Sequence, residues 1–529
     1  MELFNWWPLA APAALLGMSL TPSKFANANP RLISLASLGC GVFALLVSIL
    51  IDAQLLVNGK LATPELGMAG LGLSLYFDTL SAAMFTLVSF IGVIVLNYSR
   101  NYLDGDQRQG SFFKRLCFTI SAVLLLISAG NLVLLIFTWI ATSIGLNTLL
   151  MFYPERPGAQ LAAKKKFIAS RIGDALLIIA AVLLWKQFGT LSLPELLPEA
   201  RSLASGNDEH VLAVPSILLV LTALLKSAQL PFHGWLVEVM ETPTPVSALL
   251  HAGIINAGGF LILRLADIIA PSETALHILS IIGGLTALFG SVVMLTQTSV
   301  KVSLAYSTIA QMGFMMLECG LGAFAAALLH IIAHSLYKAH AFLSSGSVID
   351  LARSSWAPIP GGQPHTARFM LALMATIIVA FGVGRMFHAG IVENPGAVTL
   401  ATILLMSLAH LIANALDEKT NSMVLAKALG MAMGVAVLFF ALHAIVEWMF
   451  AEILPISVKL HDIEDLGIVI LVIISFGSIT LFQSIMTRHA RSEFWQAAYV
   501  HISQGLYLNT MANRLMLRIW PRRSINSSL

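Results

Sequence analysis

KSAQLPFHGWLVEVMETPTPVSALLHAG, residues 226–253, sets a lysine at the end of an apolar run and a proline five residues beyond it. The run is ILLVLTALL, residues 217–225, polar only at Thr222. Its length and character place the Lys226 ammonium deep in hydrocarbon, where a charge costs roughly 2.5 to 3.5 kcal/mol on insertion scales. Pro231 has no N–H, so the carbonyl of Ser227 is expected to lose its helical partner one residue from the lysine. A polar break beside a titratable group at membrane depth is how ion sites are built in discontinuous helices.

Working outward, composition places this segment in a polytopic membrane chain. Of 529 residues 57% are apolar and 11% charged, with a mean hydropathy of +0.85, against about 25% charged residues in soluble domains. An all-α fold follows, with fifteen predicted spans near 4–20, 32–52, 77–98, 113–129, 131–152, 167–187, 212–232, 246–270, 275–296, 300–320, 322–349, 368–388, 397–416, 424–451 and 463–487. Each matches the roughly 20 residues needed to cross the bilayer. MELFNWW opens with an acid and no basic stretch, which reads as a retained helix and not a signal peptide.

Basic residues fall in alternate loops: Lys24 and Arg31; Arg100, Arg108, Lys114 and Arg115; Arg156 with Lys164, Lys165 and Lys166; Lys301; Arg353 and Arg368; Lys419 and Lys427. Arg488, Arg491, Arg514, Arg518, Arg522 and Arg523 follow the last span. Positive charge collects on the cytoplasmic side, so the N-terminus is expected outside and the C-terminus in the cytoplasm. The net charge of +3 then reports topology and not nucleic-acid binding. ETPTPV, residues 241–246, is an acidic exception on the basic side.

Cys40, Cys117 and Cys319 stand alone in apolar segments, so no cysteine metal or iron–sulfur site is expected in this chain. No GxGxxG or GxxxxGK[ST] string is present, so neither nucleotide hydrolysis nor NADH oxidation is expected here. The drive must come from an ion gradient or a partner, and the chain reads as a non-enzyme without its own cofactor.

A second polar row lies in LLHIIAHSLYKAHAFLSSGSVID, residues 328–350, where His330, His334 and Lys338 recur at four-residue steps. They share one helical stripe about 12 Å long. Neutral imidazole accepts a proton on one nitrogen and releases it from the other. His340 falls off the stripe. The HxxxH spacing also suits a zinc pair, but no third ligand accompanies it. Arg171 and Asp174, three apart in the sixth span, are spaced for an ion pair. His251 opens the eighth span after Pro243 and Pro245. Any one of these residues also fits a hydrogen-bonded interhelical contact.

KSAQLPFHGWL, ETPTPVSALLHAG, VKVSLAYSTIAQMGFMMLECG and HIIAHSLYKAHAFLSSGSVI, in that order across residues 75–350, resemble the antiporter-like membrane subunits of respiratory complex I and the Mrp cation/proton antiporters. The resemblance implies inverted repeats, broken helices and a proton path. It makes Lys226 the central lysine, Asp174 its acid, His251 the relay histidine, and His330, His334 and Lys338 the connecting ladder. Residues 1–75 then form N-terminal helices, 76–350 the translocating core, 351–490 a diverged second-repeat end and 491–529 a cytoplasmic tail.

Two departures stand out. The family's glutamate after the fifth-span tryptophan is missing from NLVLLIFTWIATSIGLNTLLMFY, where Trp139 stands without a carboxylate. The second broken helix lacks its lysine: the stretch reads IIVAFGVGRMFHAG, with Arg385 and His388 nearby but out of register. With Leu529 as the last residue given, the long lateral helix of the distal complex I subunit is not expected here. A shortened chain of this kind resembles the membrane subunits of DAB-type inorganic-carbon accumulation systems. That resemblance implies a bacterial inner-membrane location and a large soluble partner with a zinc site like that of a β-carbonic anhydrase. Cation flow, worth about 2.3 kcal/mol per charge per 100 mV, would drive CO2 hydration in that partner. The alternatives are a cation/proton antiporter subunit and a structural anchor. The tail, SEFWQAAYVHISQGLYLNTMANRLMLRIW, offers Phe494, Trp495, Tyr499 and Trp520 for docking to the partner or to lipid.

Overall fold

The computed structural model describes residues 2–67, 72–204, 209–346, 366–387, 395–409, 412–413, 422–455, 463–488 and 492–520. Apart from one short antiparallel pair, β1 (Leu61–Ala62) with β2 (Tyr76–Phe77), the described chain is helical. The first half contains α1 (Ala10–Ser19), α2 (Ser23–Ala28), α3 (Pro30–Asn58), α4 (Thr79–Tyr102), α5 (Gln109–Ile127), α6 (Leu132–Leu150), α7 (Pro157–Phe188), α8 (Leu193–Ala204) and α9 (Ala213–Lys226). Then come α10 (Gly234–Glu238), α11 (Thr244–Leu249), α12 (Ala257–Arg264), α13 (Ala266–Ile269), α14 (Glu273–Met294), α15 (Val300–Gly320) and α16 (Phe324–Leu343). The remainder is α17 (Thr366–Met386), α18 (Pro395–Met406), α19 (Ser422–Phe450), α20 (Ile463–Arg488), α21 (Glu493–Ser503) and α22 (Leu508–Ile519).

Among the described residues nine helices are long and apolar enough to span a membrane, and three shorter apolar helices accompany them. The helices of the two polar rows differ from the predicted spans. The run ending at Lys226 stops at the lysine itself and does not continue to Pro231. The predicted span 246–270 is divided into α11, a π-helical turn at Leu250–Ile254, α12 and α13. His388 and residues 347–349 lie outside the described residues, and Arg385 is exposed near the end of α17.

One large apolar core joins α1 through α16, and smaller cores bind α17 to α20. Side chains at the helix starts satisfy the orphan backbone N–H groups. Asp78 and Ser81 form a reciprocal capping box on α4, and Asn131 Oδ1 accepts from Leu134 N at 2.7 Å on α6. α7 is capped from a distance: Glu241 Oε2 accepts from Gly158 N at 2.9 Å and Ala159 N at 3.3 Å. This explains the acidic loop that broke the charge rule. Glu241 is placed at the positive end of α7, and its carbonyl accepts from Arg156.

α14 and α15 meet backbone to backbone because glycines remove the side chains between them. A Cβ on Gly313 would come within 2.5 Å of Ala287 N, and one on Gly283 within 2.6 Å of Leu317 N. Such approach is how helices pack tightly in lipid. Gly313→Val must push α15 outward. The expected cost is about 3 kcal/mol or more, the upper end for overpacking, seen as a lowered melting temperature of the purified chain in detergent. An unchanged melting curve would contradict this packing.

Candidate functional site

α9 ends where its polar residues begin. Ala228 adopts a left-handed backbone, φ +51°, which a non-glycine residue seldom takes. The Ser227 carbonyl is not left orphaned: Gln229 Nε2 donates to it at 2.9 Å. This break packs directly on a second one, the π turn between α11 and α12. Ser227 Oγ donates to the Ile255 carbonyl at 3.2 Å, and Gly258 leaves room for Ser227 there. Asn256, beside the π turn, donates to Ser335 Oγ on α16 at 2.7 Å.

Lys226 is 7% exposed. Its Nζ donates to Ser143 Oγ at 2.7 Å, and to Thr142 Oγ1 and the Trp139 carbonyl at 3.3 Å each. It also stands 4.3 Å from the centre of the Trp139 ring. All three oxygens belong to α6, the helix on which the sequence lacks the expected glutamate. Three neutral acceptors match the three N–H groups of an ammonium, and either hydroxyl can turn to donate to the lone pair of a neutral amine, so Lys226 keeps partners in both protonation states.

α7 supplies the surrounding charges. Arg171 Nη2 and Asp174 Oδ2 are 2.6 Å apart, the arginine 37% exposed and the aspartate buried, as their spacing predicted. Asp174 Oδ1 has no hydrogen-bond partner. Thr222 Oγ1 of α9 donates to the Gly173 carbonyl at 3.2 Å, which ties α9 to α7 beside Asp174, yet among the described residues Asp174 pairs with Arg171 and the bonds of Lys226 go to α6. Lys166 is a correction. It reads in sequence as part of a loop cluster, yet it is buried in α7 and donates to the Ser143 carbonyl at 3.0 Å. Lys166 and Lys226 therefore share one serine.

The ladder on α16 is paired rung by rung with α15. His330 Nδ1 lies 3.0 Å from Glu318 Oε2, and His334 Nδ1 lies 2.7 Å from Gln311 Oε1. Lys338 Nζ donates to Ser307 Oγ at 2.8 Å and the Leu304 carbonyl at 3.3 Å. The rings of His330 and His334 are 5.9 Å apart. His334 and Lys338 are buried, and His340 is exposed. His251 joins this group and not that of Lys226: its Nδ1 is 2.9 Å from Thr308 Oγ1 on α15, and its ring stacks on Phe342 of α16 at 4.2 Å. Among the described residues the second ring nitrogen of His251 has no partner, which leaves a position for a proton or water, while His334 lies within reach of the His251 backbone. The two groups are bridged by the facing breaks, through Ser227, Ile255, Asn256 and Ser335.

Sequence reasoning missed Ser143, Thr142 and Lys166 around the central lysine, and Ser307, Gln311 and Glu318 along the ladder. On α15 the latter recur at steps of four and seven, a polar helical stripe visible in VKVSLAYSTIAQMGFMMLECG. Of the tail aromatics, Trp520 packs on Phe167 and Lys164, Tyr499 donates to the Thr296 carbonyl at 3.3 Å, and Trp495 lies against Phe482. Phe494 is 72% exposed.

Comparison with known proteins adds kinship to this geometry. Residues 129–391 match the family described as NADH:quinone oxidoreductase/Mrp antiporter, TM, and residues 65–113 match NADH-Ubiquinone oxidoreductase (complex I), chain 5 N-terminus. The chain is 39% identical over 526 residues to the probable inorganic carbon transporter subunit DabB2 of Halothiobacillus neapolitanus, covering 97% of this chain and 94% of that one. It is 37% identical over 378 residues to the probable inorganic carbon transporter subunit DabB of Hydrogenovibrio crunogenus, covering 64% and 72%. Its fold is similar to a chain of the Mrp complex from Dietzia sp. DQ12-45-1b, with a TM-score of 0.64 and 22% identity, over 98% of this chain and 60% of that one.

Proposed function

This chain belongs to the DabB group of antiporter-like membrane subunits, and from that premise we propose that it is the proton-conducting subunit of an inorganic-carbon transporter. The observation that carries the reading is Lys226, buried against three neutral oxygens of α6 between two helix breaks. Protons pass by way of Lys226, Asp174 and Lys166, across the facing breaks at Ser227 and Asn256, to His251, His334, His330 and Lys338. Arg171 holds Asp174 in place. The chain itself performs no catalysis. Its fifteen spans form inverted repeats in a bacterial inner membrane, with the N-terminus outside and the tail in the cytoplasm. There a large soluble zinc protein like a carbonic anhydrase hydrates CO2, and the ion flow makes that hydration one-way. The zinc belongs to the partner.

The test is growth in air of a strain lacking carbonic anhydrase, complemented by this gene together with its soluble partner. Rescue is expected, with uptake of labelled inorganic carbon collapsing on addition of a protonophore and indifferent to sodium. Uptake that follows sodium and survives the protonophore would favour the cation/proton antiporter reading, for which the Mrp-like fold speaks.

A further inference from the structure

The start of α7 carries three consecutive lysines, and two of them are drawn into the protein. Besides Lys166, already placed beside Ser143, Lys165 Nζ lies 2.7 Å from Glu238 Oε2 with the side chains only 8% and 12% exposed. The tail helix α22 closes over this pair. Lys165 Nζ donates to Asn509 Oδ1 and Asn513 Oδ1, both at 2.7 Å. The same two amides turn their nitrogens to the acid: Asn513 Nδ2 and Asn509 Nδ2 donate to Glu238 Oε1 at 2.7 and 3.3 Å. An amide suits this task because one end accepts from an ammonium while the other donates to a carboxylate. Gly234 lets α22 settle so closely, since a Cβ there would run into the Asn509 side chain.

One more buried group in this segment is used by nothing above. His233, in the break after α9, is buried; among the described residues neither ring nitrogen makes a well-formed hydrogen bond, and the Pro231 carbonyl is its one loose acceptor. Its ring meets Phe289 edge-on at 4.9 Å, and it stands at the N-cap of α10, the short helix that ends at Glu238. A buried imidazole so poorly answered calls for water or a proton partner.

We infer that Glu238, Lys165 and His233 form the tail-side mouth of the proton path, and that α22 is its lid, with Asn509 and Asn513 holding the ion pair shut. The inference rests on the proton-conducting reading. A proton from the tail-side solution binds the Glu238 carboxylate, and the neutral carboxyl releases Lys165. The carboxyl O–H then passes its proton through water to one nitrogen of His233, restoring the carboxylate, and the imidazolium loses a proton from its other nitrogen toward the interior. The ion pair re-forms, and the amides close over it.

Inverted membrane vesicles carrying the whole transporter provide the test, with dissipation of an imposed pH gradient followed by a fluorescent amine. Asn509→Ala with Asn513→Ala is expected to speed dissipation at least threefold, and adding Lys226→Ala to the same chain to return it to the wild-type rate. Glu238→Gln is expected to slow gradient-driven carbon uptake at least tenfold, with Glu238→Asp recovering half or more. Should the Glu238→Gln chain fail to accumulate, the tail variant, which leaves α7 and α10 unaltered, decides alone. A wild-type rate in the tail variant, or a leak that persists with Lys226→Ala, overturns the mouth and its lid. The single Lys226→Ala chain separates the two readings. Normal uptake there defeats the proton-coupling function. Uptake lost there but normal in both the Glu238→Gln and tail variants defeats only the mouth.

Discussion

Replacing Lys226 with alanine is expected to cut inorganic-carbon uptake at least about a hundredfold while the chain still reaches the membrane in normal amount. The loss follows from what remains: three oxygens of α6 facing a void, with no group on α9 able to take up and release a proton. At about 1.4 kcal/mol per factor of ten, a hundredfold loss corresponds to about 2.8 kcal/mol, close to what loss of one oxyanion-hole donor costs an enzyme. Lys226→Met serves as the control for packing, because it refills the volume without supplying an amine. Both variants are therefore expected to lose uptake equally, read as labelled carbon accumulated per unit of membrane-resident chain. If Met restored uptake, Lys226 would be a packing residue and the relay would have to start elsewhere.

The kind of site was legible in the sequence more fully than its place. Lys226 and the ladder stood out because charge in an apolar helix is costly and four-residue spacing defines a stripe. The break was expected at Pro231, but the chain turns earlier. Gln229 answers the Ser227 carbonyl and Ala228 takes a left-handed turn, so the proline follows a helix that has already ended. The π turn at His251 left no mark, since one extra residue in a turn changes neither composition nor hydropathy. Lys165 and Lys166 were misplaced for a different reason. The charge rule counts residues near a loop, and it is blind to partners supplied from 73 residues onward at Glu238 or from the far end of the chain at Asn509. The glutamate that the resemblance leads one to expect on α6 has no counterpart in its sequence. What replaces it, a carbonyl and two hydroxyls, is too common in membrane helices to be noticed before the fold brings the lysine to it.

Asp78→Ala is expected to be the most damaging single change to stability. Arg264 Nη1 lies 2.7 Å from Asp78 Oδ2 and Nη2 lies 3.2 Å from Oδ1, with the side chains 1% and 2% exposed. Tyr76 and Phe260 flank the guanidinium, and Asp78 Oδ1 also accepts from Ser81 N at 2.9 Å to cap α4. Alanine would strand a buried guanidinium, at a cost of about 3–5 kcal/mol, and remove a cap worth about 1 kcal/mol. A melting temperature lowered by many degrees in detergent is the expected reading. Asp78→Ala with Arg264→Met should recover most of it, because an apolar replacement of a whole buried pair is often neutral. The double variant then becomes informative about function. The pair fastens the start of α4 to the end of α12, the helix that issues from the π turn beside His251, so it fixes where the second break sits. A double variant that melts normally yet takes up carbon poorly would assign the pair to alignment of the break. Normal melting with normal uptake would leave it a fastening of the fold, and a double variant that melts as low as the single one would show that the cap, and not the stranded charge, carried the loss.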